Sequence, residues 1–256
     1  MERRFYAMRL SYEGGRFHGF QRQPGRPTVQ GALEDALARA GVDAPLAAAA
    51  RTDRGVHALS QVVSFAVRAA LDPVALRRAL NEALPQDVVV LDVWSAPRSF
   101  HARSSARSRT YVYLVGTELS PELRAYAWCL PDARAFSAPA ARSLDPDIMR
   151  RALGAAVGAH DFRPFARPGS HRDQTRTLLR AEVHSASWVP LHAIVLEGTG
   201  FVRAMVRNLV GTAVTAGLGL APASAIRELL QAGGRYRGVR APGWGLTLAS
   251  VSYPEE

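Results

Sequence analysis

Along residues 57–67, Val63, Phe65 and Val67 alternate with Ser64 and Ala66, the period-2 pattern of a strand with one face buried. Tyr6 to Tyr12 also reads as a strand, and the turn-rich stretch EGGRFHGFQRQPGRP leads from it into a helix. That helix begins near Thr28, because Val29, Ala32, Leu33, Ala36, Leu37 and Ala40 recur at spacings of three and four and so share one face. A second helix follows: Asp72 is a natural N-cap, Pro73 suits the first helical position, and Leu76, Leu80 and Leu84 form the apolar stripe. VVVLDV at 88–93 closes this half as a strand, and RTYVYLV at 109–115 opens the next. The remainder predicts a helix near 146–158, strands at 178–185 and 192–198, helices near 201–216 and 222–231, and a last strand, LTLASVSY, ending at Tyr253.

One internal echo stands out: LDPVALRRAL at 71–80 and LDPDIMRRAL at 144–153 share seven of ten residues. It reads either as duplication of a β-α unit or as two helices that converged on the same Asp-Pro cap, and the flanks do not continue the match. The alternation of strands and helices suggests a mixed α/β chain of two similar halves, residues 1–105 and 106–256, whose sheets could meet at a central cleft.

With 256 residues, 48% of them apolar, the chain can bury a substantial core. Its longest apolar stretch, Phe201 to Ala216, contains Arg203, Arg207 and Asn208 and falls short of the roughly 20 residues a membrane span needs. The N-terminus lacks the apolar centre of a signal peptide, and Cys129 is the one cysteine, so the expectation is a cytoplasmic chain without disulfides or membrane association. Net charge is +10, and all 32 basic residues are arginine. The lack of lysine excludes a Schiff-base lysine and a P-loop lysine. Guanidinium groups pair with phosphate in a fork that ammonium cannot copy, which favours a polyanionic partner such as nucleic acid. The arginines cluster: residues 98–109 hold four and no acid, and residues 163–180 hold five against the single Asp173. Both segments read as loops or strand entries whose arginines need not be counter-paired, which suits phosphate-backbone contacts.

Metal ligation is not signalled, because histidines 18, 57, 101, 160, 171, 184 and 192 show no ligand spacing with the one cysteine. No G-x-S-x-G or G-x-G-x-x-G segment occurs. What remains are acids, aromatics and arginines. Asp53 lies on a loop between Arg51 and Arg54, just ahead of the strand at 57–67, where it is either half of a salt bridge or an ionised carboxylate usable as a nucleophile. Tyr111 and Tyr113 share a strand face, either as core or as a platform for a stacked base. Arg203 and Arg207 are spaced i, i+4 on the predicted helix near 201–216.

RTDRGVHALSQVVSF at 51–65 resembles the R-T-D-x-G-V-H-A-x-x-Q-V-x-x-F signature of the tRNA pseudouridine synthase A family. Further stretches are similar in family order: SYEGGRFHGFQRQ at 11–23 with TVQGALEDAL after it, NEALPQDVVV at 81–90, FHARSSARSRTYVY at 100–113, GFVRAMVRNLVGT at 200–212 and GLTLASVSYP at 245–254. The resemblance implies an α+β pseudouridine synthase fold. In that fold two similar subdomains with largely antiparallel sheets form one continuous central sheet, with helices on one side and the active-site cleft between the subdomains.

It also implies roles. Asp53 matches the catalytic aspartate that attacks the uridine, Arg207 an arginine that pairs with that carboxylate, and Tyr111 the tyrosine that stacks on the target base. Leu246 matches an apolar pocket residue, and Arg51 an arginine that helps push the target nucleotide out of the stem. Base flipping is required because the reacting atoms are hidden while the base is stacked. The family works without cofactor or metal, as a homodimer, on uridines 38 to 40 of the tRNA anticodon stem-loop. Arg103, Arg107, Arg109, Arg167, Arg172 and Arg176 would then grip tRNA phosphates. Three positions depart from the pattern: Ala50 replaces a glycine, Arg54 a small residue and Phe20 a tryptophan. A non-catalytic tRNA-binding protein on the same fold would need no such set as Asp53, Tyr111 and Arg207, and an enzyme for small anions would leave two long arginine patches without a phosphate loop unexplained.

Overall fold

The computed structural model describes residues 3–132, 144–167, 173–234 and 237–254. The chain is mixed α/β and forms two compact units, residues 1–107 with 247–256, and residues 108–246. The final strand, expected with the second half, therefore belongs to the first. In register, Thr247 sits opposite His57 and Leu248 opposite Ala58, in parallel.

The first unit holds β1 (Arg4–Tyr12), α1 (Val29–Arg39), β2 (Ala47–Ala48), β3 (His57–Val67), α2 (Pro73–Ala83) and β4 (Val88–Ala96). Its last strand is β10 (Leu246–Ser252). The strands run in the order β4-β1-β3-β10, with β1 antiparallel to both β3 and β4 and the short β2 paired to β3. Thr28 caps α1 by accepting the Gly31 N–H, and the predicted stripe residues Val29, Leu33, Ala36 and Leu37 are buried. The one-faced strand expected over 57–67 is buried on both faces from Gln61 to Phe65. Val62 packs into a cluster with Ala49 and Ala102, covered by Trp94, Phe100, Val251 and Tyr253. Ser64 tolerates this because its hydroxyl accepts the Ala102 N–H at 3.0 Å.

The second unit holds β5 (Ser108–Gly116), α3 (Pro121–Arg124), β6 (Trp128–Cys129), α4 (Pro146–Gly154), β7 (Gly158–Asp161), β8 (Thr175–Ser185), β9 (Leu191–Gly198), α5 (Met205–Gly217) and α6 (Ala225–Ala232). Strands β5-β9-β8-β7 are antiparallel throughout, and β6 lies parallel to β5. Two helices are shorter than periodicity predicts. Gly158, with φ of 107°, opens a strand where α4 was expected to continue. Ala204 adopts φ of 70°, so α5 starts at Met205 and Arg203 lies in the turn before it. Among the described residues no helix is long and apolar enough to cross a membrane.

The internal echo is a capping pattern in both units. The Asp72 carboxylate accepts the N–H groups of Val74 and Ala75 ahead of α2, and the Asp145 carboxylate those of Asp147 and Ile148 ahead of α4. Each cap satisfies donors that the first helical turn leaves unpaired. Asp72→Ala and Asp145→Ala should each cost about 1 kcal/mol, a fall in Tm of about 2–4 °C. The two losses should add in the double variant when followed by thermal denaturation.

Candidate active site

Asp53 heads β3 on a loop held from several directions. Gln61, fully buried, turns its amide onto residue 50: Oε1 accepts the Ala50 N–H at 3.1 Å and Nε2 donates to the Ala50 carbonyl at 2.7 Å. Both backbone groups can be met in only one orientation, so the amide has no alternative flip. Nε2 also reaches the Tyr12 hydroxyl at 3.4 Å, and that hydroxyl lies 2.8 Å from Thr52 Oγ1. The Tyr12 oxygen accepts from Gln61, and either hydroxyl can donate across the Tyr12–Thr52 contact. Burial pushes Tyr12 up to about 12 against the pull of its Thr52 and Gln61 hydrogen bonds, so the phenol stays neutral.

Backbone contacts complete the frame. Phe20 N–H donates to the Thr52 carbonyl at 3.0 Å, Gly55 N–H to Phe17 at 3.4 Å, and Val56 N–H to Asp53 at 3.2 Å. The last bond closes a tight turn in which Gly55 takes φ of 76°. Two glycines are required by close approach. A Cβ on Gly14 would lie 2.1 Å from the Val56 carbonyl oxygen, and one on Gly19, at φ of 97°, would lie 2.8 Å from that of Thr52. His57 is buried, and its Nδ1 accepts the Gly14 N–H at 3.1 Å. The Glu13 carboxylate also approaches the same nitrogen, at 3.4 Å. Within this frame the Asp53 residue is half-buried, whereas Arg51 and Arg54 on either side are exposed.

In the second unit, Tyr111 is buried on β5 with its ring edge-on to Phe201, centroids 5.2 Å apart. Tyr113, two residues on, is core: its hydroxyl donates to the Pro242 carbonyl at 3.1 Å and its ring meets Trp128 edge-on. Burial raises that phenol well above 10, and the nearby positive charge of Arg207 opposes the rise. Arg207 sits in the first turn of α5, where its Nε donates to the Ala241 carbonyl at 2.7 Å while Ala241 N–H returns a bond to the Arg207 carbonyl at 3.1 Å. This fixes the plane of the guanidinium, a group that binds carboxylate through two parallel N–H donors. Next to it, Arg240 Nε donates to Asn208 Oδ1 and Asn208 Nδ2 to the Phe165 carbonyl, so buried Asn208 is satisfied on both sides. Leu246 is buried directly after Gly245, whose missing side chain leaves room for the Tyr113 ring.

The expected phosphate-facing arginines divide. Arg103 and Arg107 are exposed on a segment tied to the first unit by Tyr253 Oη on the Ala102 carbonyl at 2.7 Å and by Arg107 N–H on that of Ser252 at 2.8 Å. Arg167 is exposed, and Arg176 is half-buried. Arg109 departs from the expectation: it is only 8% exposed and donates to the Thr199 carbonyl at 3.0 Å, so it serves the fold. Arg172 lies outside the described residues. Arg163 and Arg180, expected without counter-charges, meet acids from beyond their segment, Asp161 at 2.6 Å and Glu197 at 3.5 Å. Sequence reading gave Tyr12, Thr52, Gln61, His57 and Asn208 no role. The signal was present at Gln61, the one amide side chain in β3, flanked by the apolar run Val62 and Val63.

Residues 8–103 and 152–254 match the family described as tRNA pseudouridine synthase. The chain is 38% identical over 257 residues to the tRNA pseudouridine synthase A of Methylacidiphilum infernorum, covering 98% of this chain and 96% of that one. To the protein of the same name from Geobacillus sp. it is 38% identical over 254 residues, covering 95% and 96%. Among solved structures, "Structure of H/ACA RNP bound to a substrate RNA containing 2'-deoxyuridine" has a TM-score of 0.38 at 12% identity, covering 83% of this chain and 44% of that one, a likeness too low to carry an argument.

Gln61→Leu would strand the two Ala50 backbone groups that its amide serves, so urea titration should show a loss of about 2 kcal/mol or more. Tyr12→Phe removes one hydroxyl from the same network and should cost about 1 kcal/mol. Equal losses for the two variants would argue against the amide as the principal anchor.

Proposed function

This chain belongs to the tRNA pseudouridine synthase family, and from that membership we propose that it converts uridines 38, 39 and 40 of the tRNA anticodon stem-loop to pseudouridine, with Asp53 as nucleophile. Its relatives named tRNA pseudouridine synthase A are isomerases, and isomerisation of uridine is the family reaction. The observation that carries the aspartate assignment is the rigidity of its loop. Backbone on both sides of Asp53 is pinned, through Ala50 and Thr52 before it and Gly55 and Val56 after it, while an acidic side chain remains half-buried between. Loops that carry chemistry on rigid scaffolds are built in this way.

In the proposed reaction the Asp53 carboxylate forms a bond to the uridine and the glycosidic N1–C1′ bond breaks. The freed uracil turns, C5 joins C1′ as the carboxylate is released, the proton on C5 leaves to solvent, and N1 takes up a proton from solvent. All heavy atoms of the product come from the substrate, so positioning is the main task. Tyr111, held edge-on by Phe201, stacks on the target base. Arg207, with its plane set by Ala241, is the partner proposed for the Asp53 carboxylate. Leu246 lines the pocket, and Arg51 helps displace the nucleotide, whose unstacking costs a few kcal/mol. Arg103, Arg107, Arg167 and Arg176 contact the RNA backbone. The reading includes action as a homodimer in the cytoplasm.

The test is tritium release from tRNA labelled at uridine C5. Wild type should release label, whereas Asp53→Ala should be slower by at least about 1,000-fold while still binding tRNA. Release by the variant at the wild-type rate would remove Asp53 from the chemistry. Silence from both proteins would point instead to a tRNA-binding protein without this activity.

A further inference from the structure

The turn-rich segment between β1 and α1 brings four positive or potentially positive side chains to the first unit, and they are not treated alike. Arg16 is paired with Asp87 at 3.0 Å, and Arg22 with Glu34 at 2.6 Å and Asp35 at 3.9 Å. Arg26 and His18 have no carboxylate partner among the described residues, and neither does Arg54 from the catalytic loop.

These three are neighbours by construction. Phe17 accepts the Gly55 N–H, and Gly19 packs its Cα against the backbone of Thr52, Asp53 and Arg54, which sets His18 beside Arg54. His18 is itself immobilised: its N–H donates to Pro27 at 2.8 Å, its carbonyl accepts Gln23 Nε2 at 2.8 Å, and its Nδ1 lies 3.2 Å from Arg26 Nη1. A guanidinium only donates, so Nδ1 is the acceptor and the ring proton resides on Nε2. That Nε2–H has no acceptor among the described residues. Partial desolvation, then Arg54, then Arg26, all push the imidazole below 6.5, as expected for a ring crowded by like charges with no anion present.

We propose that His18, Arg26 and Arg54 form a seat for one phosphodiester of the bound RNA, next to the nucleotide that Asp53 attacks. The three supply N–H donors from two guanidiniums and one imidazole around a space that lacks its counter-charge, and a phosphodiester provides both the charge and the acceptor oxygens. Arg54 thereby acquires a purpose distinct from that of Arg51. Because the anion would oppose the two arginines, binding should raise the His18 pKa, take up part of a proton, and strengthen as pH falls through the raised value. The seat rests on the tRNA reading above but not on the nucleophile assignment.

The experiment measures affinity for a tRNA transcript across 50–300 mM KCl. For Arg26→Ala and Arg54→Ala, the slope of log affinity against log salt should fall by about 0.7–0.9 in each, with binding about 3- to 10-fold weaker at 100 mM salt. Arg16→Ala, whose guanidinium is already held by Asp87, should keep the wild-type slope. The His18 imidazole, followed by NMR, should titrate at higher pH with the transcript present, and not with the same total phosphate supplied as inorganic phosphate. Unchanged slopes in both arginine variants would overturn the seat, as would an equal His18 response to inorganic phosphate, which would mark a free-anion site. Asp53→Ala should retain the wild-type slope and the His18 shift, so loss of the nucleophile assignment would leave the seat standing.

Discussion

The contact on which the Asp53 loop depends is the amide of Gln61 closed onto the backbone of Ala50. A buried amide left unpaired costs free energy, and a loop left unpaired wanders; here each satisfies the other. Through Tyr12 the same amide reaches Thr52, so Ala50 and Thr52, two of the three residues ahead of Asp53, are tied to one strand position. The glycines at 14 and 19 belong to this arrangement, because side chains there would occupy the space in which the loop backbone lies.

The second unit uses the same device with different residues. Arg207 is set not by an acid but by a backbone carbonyl, that of Ala241, with the returning Ala241 N–H closing a two-bond clasp. Asn208 and Arg240 repeat the pattern one residue along, and Ala204, held at φ of 70°, starts the helix so that Arg207 falls in its first turn. In each unit taken by itself the candidate residues are positioned by main-chain hydrogen bonds, whose geometry is less adaptable than that of paired long side chains.

Much of this was legible in the chain itself. The stripe from Val29 to Leu37 and the Asp-Pro caps at 72 and 145 formed as periodicity and cap chemistry require, since both are local signals. What escaped were properties set by distant partners. Two-sided burial of β3 depends on Ala49 and Ala102, and the start of α5 on one residue in a left-handed conformation that alanine composition does not announce. Arg109 and Arg163 looked like members of open basic patches because their partners, the Thr199 carbonyl and Asp161, lie outside the segments in which the arginines cluster. Charge counting within a window registers neither a carbonyl nor an acid just beyond its edge. The motif around Asp53 was recognisable, but the reason its glutamine and glycines matter became physical only with the loop's geometry.

The parallel pairing of β10 with β3 carries a consequence for how the protein is made. Its register meets β3 at His57 and Ala58, at the foot of the Asp53 loop. A ribosome delivers residues 108–246 before it delivers that strand, so the second unit is an insertion that interrupts the first, and the foot of the loop receives its neighbour only after the second unit has been made. Nascent chains would thus carry an unfinished Asp53 loop while the whole second unit is synthesised, and completion of that loop's surroundings would be timed by the emergence of β10.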